Sequence, residues 1–290
     1  MIGNNFTQVL FANATTLMTQ VRFTGNNINT PVDFTPLGNN FSGSVLMENN
    51  DIPSVTFPVN SQVINFIDFT NNNLTAINLT PLQGINGALY LRNNSIPSAA
   101  AIQMSVTNNV FDFRFSFNSI VGVVDMSLWF AANTLSGRID FQANSITEII
   151  FPSSNIATNN IIGGNNNINT NLDLSPMSAL AGAVNFLNNS IPSVTFPNSS
   201  GVVTLLQFTN NNIINFNINP LVGVNNNISI DLEMNDMTTV SMDQLITDLV
   251  AKGWTDGTLN FINQSTGNTP TTGAADYITL DTVLNWTILF

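Results

Sequence analysis

The feature that most constrains this chain is a short frame repeated along it. The segment Ile67-Asp-Phe-Thr-Asn-Asn-Asn-Leu74 has the same shape as Leu89-Tyr-Leu-Arg-Asn-Asn-Ser-Ile96 and Val184-Asn-Phe-Leu-Asn-Asn-Ser-Ile191. Each reads apolar, x, apolar, x, x, Asn, x, apolar. The frame recurs from Val21, Val45, Phe113, Ile139, Ile161, Leu206 and Ile230, and a decayed copy starts at Leu259 with Gln264 in the Asn place. The frame asparagines are Asn26, Asn50, Asn72, Asn94, Asn118, Asn144, Asn166, Asn189, Asn211 and Asn235, mostly 22 to 24 residues apart. Repetition at such a period means a solenoid: one copy cannot bury its own apolar face, so its neighbours supply the core.

The physics of one copy predicts its local structure. A short strand turns every second side chain inward. Ile67 and Phe69 should therefore point into the solenoid, and Asp68 and Thr70 out of it. The chain must then turn, and backbone N–H and C=O groups buried in a packed turn need partners. Asparagine carries a donor and an acceptor on one short side chain. Stacked copies should form a ladder that satisfies the turns. The 21 phenylalanines, many at the second apolar position of the frame, should stack as a spine. A second order lies above the first. Gly43, Gly87, Gly137 and Gly182 stand two residues before Val45, Leu89, Ile139 and Val184. The alternate copies follow turns such as Pro53–Pro58 and Pro192–Pro197, both Pro-Ser-Val-Thr-Phe-Pro. The unit is thus a doublet of about 44 to 50 residues, as tandem duplication produces.

From Val21 to about Thr266, with eleven copies in register, the chain resembles the leucine-rich-repeat family, whose motif is L-x-x-L-x-L-x-x-N-x-L. The resemblance implies a mainly β repeat solenoid, a right-handed horseshoe with a parallel sheet on its concave side. Its convex side should hold loops and short extended segments such as Ser54-Val-Thr-Phe57. Residues 21–240 are expected to be ten repeats, and 241–290 the last repeat with a C-terminal cap. One helix is predicted, Ser241–Lys252, with Ser241 and Gln244 as a capping box, Leu245, Ile246, Leu249 and Val250 as its apolar stripe, and Gly253 as its stop. After it come a Thr/Gly/Pro-rich loop, Ser265 to Gly273, and an irregular tail containing Trp286. Residues 1–20 are either a partial repeat acting as an N-terminal cap or an attachment segment for a larger assembly. The closing segment is similar to those of leucine-rich-repeat proteins of Bacteroidetes-type bacteria and phage virions. Family members from plant and animal ectodomains carry disulfide caps, and intracellular members carry long convex helices. This chain has neither pattern, so the resemblance carries a fold and not a ligand.

Composition narrows the chemistry. There is no cysteine and no histidine. That removes disulfides, thiolate metal sites, cysteine nucleophiles and every imidazole general base. Only 8% of residues are charged, and the net charge is −12, which offers no electrostatic footprint for nucleic acid. Solubility must come from amides and hydroxyls, with fifty asparagines in the chain. The start lacks a basic region, its apolar run Val9 to Ala12 is too short for a signal peptide, and no stretch nears the ~20 apolar residues of a membrane span. No membrane insertion, cofactor or metal is expected. The Asn-rich stretches Asn165–Asn167 and Asn225–Asn227 read as turns, since the calcium-binding nonapeptide pattern is absent.

The four arginines are Arg22, Arg92, Arg114 and Arg138, all on or beside strands at predicted outward positions. Three fall in consecutive copies, next to Tyr90, Asp112 and Asp140. Across parallel strands about 4.8 Å apart, Arg114 should stand beside Tyr90 and Asp140, and Arg138 beside Asp112. One reading makes these cross-strand ion pairs that solvate the sheet, each worth ~0.2–1 kcal/mol. The other makes Tyr90, Arg92, Asp112, Arg114, Arg138 and Asp140 a polar ligand site for a glycan or a peptide carboxylate. Carboxylates at Asp68, Asp112, Asp140, Asp231, Glu48 and Glu233 raise a glycosidase alternative. An open, wet sheet face gives such acids little reason to shift, so no catalytic residue is assigned. The expected role is a non-enzymatic bacteriophage virion component, decorating the capsid or recognising the host, with other virion proteins or a host surface glycan or protein as partner. The runner-up is a bacterial cell-surface adhesin.

Overall fold

A computed structural model describes residues 1–59, 62–104, 109–130, 135–152, 157–177, 179–223, 225–265 and 267–290. Thr266, the expected far end of the repeats, lies outside the described residues. The fold is a parallel β-solenoid with few helices, and it falls into two compact units, Met1–Ile146 and Thr147–Phe290.

In the first unit the long sheet holds β1 (Met18–Arg22), β2 (Phe41–Leu46), β3 (Val63–Asp68), β4 (Gly84–Tyr90), β5 (Asn109–Arg114) and β6 (Leu135–Asp140), all parallel and in chain order. The register is that of the sequence frame: Val21, Val45, Ile67, Leu89, Phe113 and Ile139 pair in succession. All of them are buried. The second unit repeats the arrangement with β7 (Ala157–Ile162), β8 (Gly182–Asn185), β9 (Val203–Gln207), β10 (Ser229–Asp231), β11 (Thr258–Asn260) and β12 (Thr287–Leu289). Here Ile161, Val184, Leu206, Ile230, Leu259 and Ile288 align. The tail expected to be irregular therefore supplies one further rung. Backbone pairing with β11 fixes it, and the Trp286 indole donates to the Trp254 carbonyl at 2.8 Å in the buried end of the solenoid.

The returning segments carry short parallel pairs of their own, Val32–Asp33 with Val55–Thr56, Ile77–Asn78 with Ile102–Gln103, and Leu172–Asp173 with Val194–Thr195. Two of these strands lie inside the two Pro-Ser-Val-Thr-Phe-Pro turns, whose β-branched residues suit an extended backbone. Phenylalanines stack between rungs within each unit, Phe115 on Phe141 and Phe186 on Phe208, with ring centroids 5.9 Å apart in both pairs.

The turn after each strand is held by the frame asparagine. Asn72 is representative. Its Nδ2 donates to its own turn at Phe69 O (3.1 Å) and to the preceding rung at Met47 O (2.9 Å). Its Oδ1 accepts from Ile52 N of that preceding rung at 3.0 Å. Asn50, Asn94, Asn118 and Asn144 repeat this in the first unit, and Asn189, Asn211 and Asn235 in the second. Asn26 and Asn166 bond their own turns in the same way. Gln264 does the work of an asparagine, accepting from Met237 N and donating to Leu232 O and Phe261 O. One place was not read from the sequence. Asn4 N donates to Asn26 Oδ1 at 3.1 Å, and Asn27 N donates to Phe6 O at 3.0 Å. These are the contacts of a partial rung packed on β1.

The residue before each frame Asn sits at positive φ: in the first unit Gly25 at 65°, and Asn49, Asn71, Asn93, Phe117 and Ala143 between 51° and 58°. Asparagine tolerates this left-handed conformation better than other side-chain-bearing residues. Its exposed amides also join between rungs, Asn71 to Asn49 and Asn93 to Asn71, each at 2.6 Å.

Helix α1 spans Thr239–Lys252 and ends at Gly253, which has φ 65° and donates back to Leu249 O and Val250 O. The expected capping box on Ser241 and Gln244 is displaced by one turn. Thr238 is the N-cap, and its hydroxyl accepts from Ser241 N at 3.2 Å. Gln244 instead bonds Asp248. Lys252, the single lysine, ties the helix end down by donating to Asn219 O and Leu221 O, both at 2.7 Å.

Candidate binding site

Tyr90, Asp112, Arg114, Arg138 and Asp140 lie on β4, β5 and β6, and Arg92 follows β4, all within the first unit. The register sets Tyr90 beside Arg114, Arg114 beside Asp140, and Asp112 beside Arg138. These are the neighbours that strand spacing implies. The ion pairs are nevertheless not cross-strand. Arg114 grips Asp112 of its own strand with two bonds, Nε to Oδ1 at 2.7 Å and a terminal nitrogen to Oδ2 at 2.5 Å. Arg138 pairs with Asp140, also two residues along, at 3.1 Å. Residues i and i+2 share a face of the strand, so both choices were open.

Tyr90 decides between them. The Arg114 guanidinium lies over the Tyr90 ring, 4.4 Å from its centroid. The Tyr90 hydroxyl donates to Asp112 Oδ2 at 2.8 Å. Ring and hydroxyl thus hold cation and carboxylate together across the rung. Phe66 meets the Tyr90 ring edge-on at 5.0 Å and fixes its plane. The triad is closed: Asp112 uses both oxygens and Arg114 two of its three nitrogens. Beside it, Asp140 is fully buried and Arg138 half-exposed. The Arg138 Nε is buried with no hydrogen-bond partner among the described residues.

Arg92 stands apart from this network. It follows β4, at the rim, where its Nε donates to Ser116 Oγ at 3.1 Å and its guanidinium lies 5.9 Å from the Phe117 ring centroid. The sequence grouped it with Arg114 and Arg138 by rung, and the structure separates it by position along the rung.

The electrostatics follow from this geometry. Burial, then the bond to Asp112, pushes the Tyr90 phenol up to about 12. Its own bond to Asp112 raises Arg114 above its ordinary value. Asp68 also titrates higher than an ordinary carboxylate because of burial, although Thr70 bonds oppose the shift. The expectation that the face leaves its acids unshifted fails at this residue, because neighbouring side chains cover it. In the second unit, Asp231 and Glu233 accept from Asn260, and Glu233 also from Asn263.

The raised phenol gives a direct test. Its contribution to stability should be complete below pH 10, where both folded and unfolded chains keep the proton. It should fall as pH rises from 10 to about 12, because the unfolded chain ionises first. A phenolate absorbance titration of the native protein should therefore show a transition near 12 that Tyr90→Phe removes. A Tyr90 transition at the ordinary value would mean that the phenol is neither buried nor bonded to Asp112 in solution.

An apolar cavity of about 470 Å³ lies elsewhere, on the short-strand side, lined by Ala99, Ile102, Met104, Val123, Leu128 and Trp129. No polar groups of the candidate patch reach it. Among the described residues, no group of three or more carboxylates is arranged to hold a metal ion. No helix among the described residues is long and apolar enough to cross a membrane. No family model matches the chain, and no curated protein matches it.

Proposed function

We propose that this chain is a non-enzymatic recognition scaffold of the leucine-rich-repeat type, a right-handed horseshoe that binds through the outer face of β4–β6. The observation that carries the reading is the locked Tyr90–Asp112–Arg114 triad beside Arg138 and Asp140. Most of the chain avoids charge, yet two of its four arginines and two carboxylates stand on two adjacent strands, β5 and β6, beside Tyr90 of β4. Groups held rigidly before binding lose little entropy when a ligand arrives. The frame Asn, bonded to its own turn and to the previous rung, supports the repeat type.

For the setting, we propose a bacteriophage particle, with the chain serving in decoration or host recognition. A surface of amides and hydroxyls with one lysine offers few sites to lysine-directed proteases and suits a particle outside cells. Exposed Met1, Ile2, Leu10 and Leu17 offer residues 1–20 an apolar surface for attachment. The alternative is a bacterial surface adhesin. Mass spectrometry of chymotryptic digests separates the two: stoichiometric presence in purified particles supports the first, and presence only in cell envelopes the second.

Binding itself is tested by Arg114→Gln. Retention on host-cell envelopes should fall about tenfold or more, while Tm moves by no more than a few degrees, since the pair joins neighbours on one strand at a partly exposed face and contributes on the order of 1 kcal/mol. Retention unchanged, or lost only in step with stability, would make the triad a structural strut.

A further inference from the structure

We propose that Arg92, Asn93 and Phe117 form a rim subsite for a carboxylate-bearing sugar within an otherwise neutral glycan. The inference rests on the binding role proposed for β4–β6 and assigns its ligand a chemistry. Three observations converge on it.

The first is an open cation. Arg114 and Arg138 are each paired with a carboxylate, but Arg92 donates only through Nε, to Ser116. Its two terminal nitrogens have no partner among the described residues. A half-exposed guanidinium with two parallel donors free suits a planar carboxylate. The second is an interrupted row. Asn49, Asn71 and Asn93 share the left-handed position and pass one amide bond from rung to rung. At the next rung Phe117 replaces asparagine, still at φ 55°. Ala143 and Met234 hold this position in other rungs, and what is particular to Phe117 is an exposed ring beside Arg92 in a conformation that bulky side chains rarely adopt. The third follows from the second. The Asn93 Oδ1 would meet the next amide of the row, and instead it has no donor among the described residues.

The Phe117 side chain is 44% exposed, and the Arg92 guanidinium lies 5.9 Å from its ring centroid. A sugar laid on this ring would set its polarised C–H groups against the electron-rich face. Its carboxylate would reach the Arg92 nitrogens, and a hydroxyl could donate to Asn93 Oδ1. One open guanidinium at this rim, in a chain of net charge −12, suits sparse negative charge and disfavours polyanions. A peptide would need an apolar recess for its side chains beside Arg92, and neither the cavity at Ile102 and Trp129 nor the one at Val63 and Ile85 is lined by Arg92, Asn93 or Phe117.

The test uses the full chain and isothermal titration with three probes: uronic-acid oligosaccharides, the same oligosaccharides after carboxyl reduction, and a glutamate-rich peptide. The acidic sugars should bind at least about tenfold more tightly than the reduced ones. Arg92→Gln should erase that difference. Phe117→Asn should weaken binding of both sugars while raising Tm by a few degrees, since it relieves strain and restores the amide row. A misfolded variant cannot produce that pair of results. Equal binding of acidic and reduced sugars, no binding of either, or binding of the peptide alone would each overturn the inference. If envelope retention still depends on Arg114 in those cases, the recognition role survives. If retention is lost as well, both readings fall together.

Discussion

Gly137→Ala should cost about 4 kcal/mol, among the larger effects a single methyl group produces. A Cβ at this position would fall inside the contact envelope of the Phe111 carbonyl oxygen on the neighbouring rung. The backbone there also has φ 73°, which L side chains rarely adopt. Neither strand can yield easily, because Val110 and Phe113 on one side and Ile139 on the other are fully buried. The pairing shifts register between Leu135 and Arg138, so the glycine marks a bulge where two backbones approach closely. Gly43 and Gly182 combine the same two demands, and Gly87 shows the clash without positive φ. Gly273→Ala is the control. It has open space and no such φ, and it should shift stability by no more than about 0.5 kcal/mol. Denaturant melts of the variants decide the matter: equal midpoints for Gly137→Ala and Gly273→Ala would refute the close-approach account.

Asn72→Ala should cost about 3 kcal/mol. It deletes the donor to Phe69 O and Met47 O and the acceptor for Ile52 N. Asn72 is 6% exposed, so water cannot replace it fully, and each buried polar group left unpaired costs ~1–3 kcal/mol. Asn72→Asp tests the donor half alone. It keeps an acceptor for Ile52 N and faces two carbonyl oxygens with a carboxylate, so it should be at least as damaging. Asn71→Gly, one residue earlier, keeps the left-handed backbone and loses only two exposed amide bonds, to Asn49 and from Asn93. That change should stay within about 0.5 kcal/mol. A ladder residue no more sensitive than its exposed neighbour would mean that the turns draw on solvent for their partners.

These two sets of effects differ in how far the sequence announced them. The doublet glycines were visible as a pattern without a cause. Only the approach of one rung's carbonyl to the next shows why alanine is excluded. The frame asparagines were visible with their cause, since a buried turn must pair its backbone and asparagine offers both partners. The same reasoning did not find Asn4, because a lone asparagine with no strand before it carries no frame. It also did not find the twelfth strand, because the frame place five residues after Ile288 falls past Phe290 and three residues alone do not show the frame. At α1 the cap is Thr238, three residues before the Ser241 that the sequence pattern suggested.

The candidate site divides along the same line. By itself the sequence determined which residues share a rung, because the frame fixes inward and outward positions and the strands are parallel. Tyr90, Arg114 and Asp140 had to be neighbours. Only the tertiary structure decided that Arg114 closes on Asp112 and not on Asp140, because the Tyr90 ring and hydroxyl reach across the rung to hold that pair. It also decided that Arg92 stays open at the rim, beside a phenylalanine kept in a backbone conformation that suits asparagine. Periodicity fixes whatever every rung has in common. What differs at one rung depends on side chains meeting across rungs, more than twenty residues apart in the chain, and only their packing can choose among partners of equal reach.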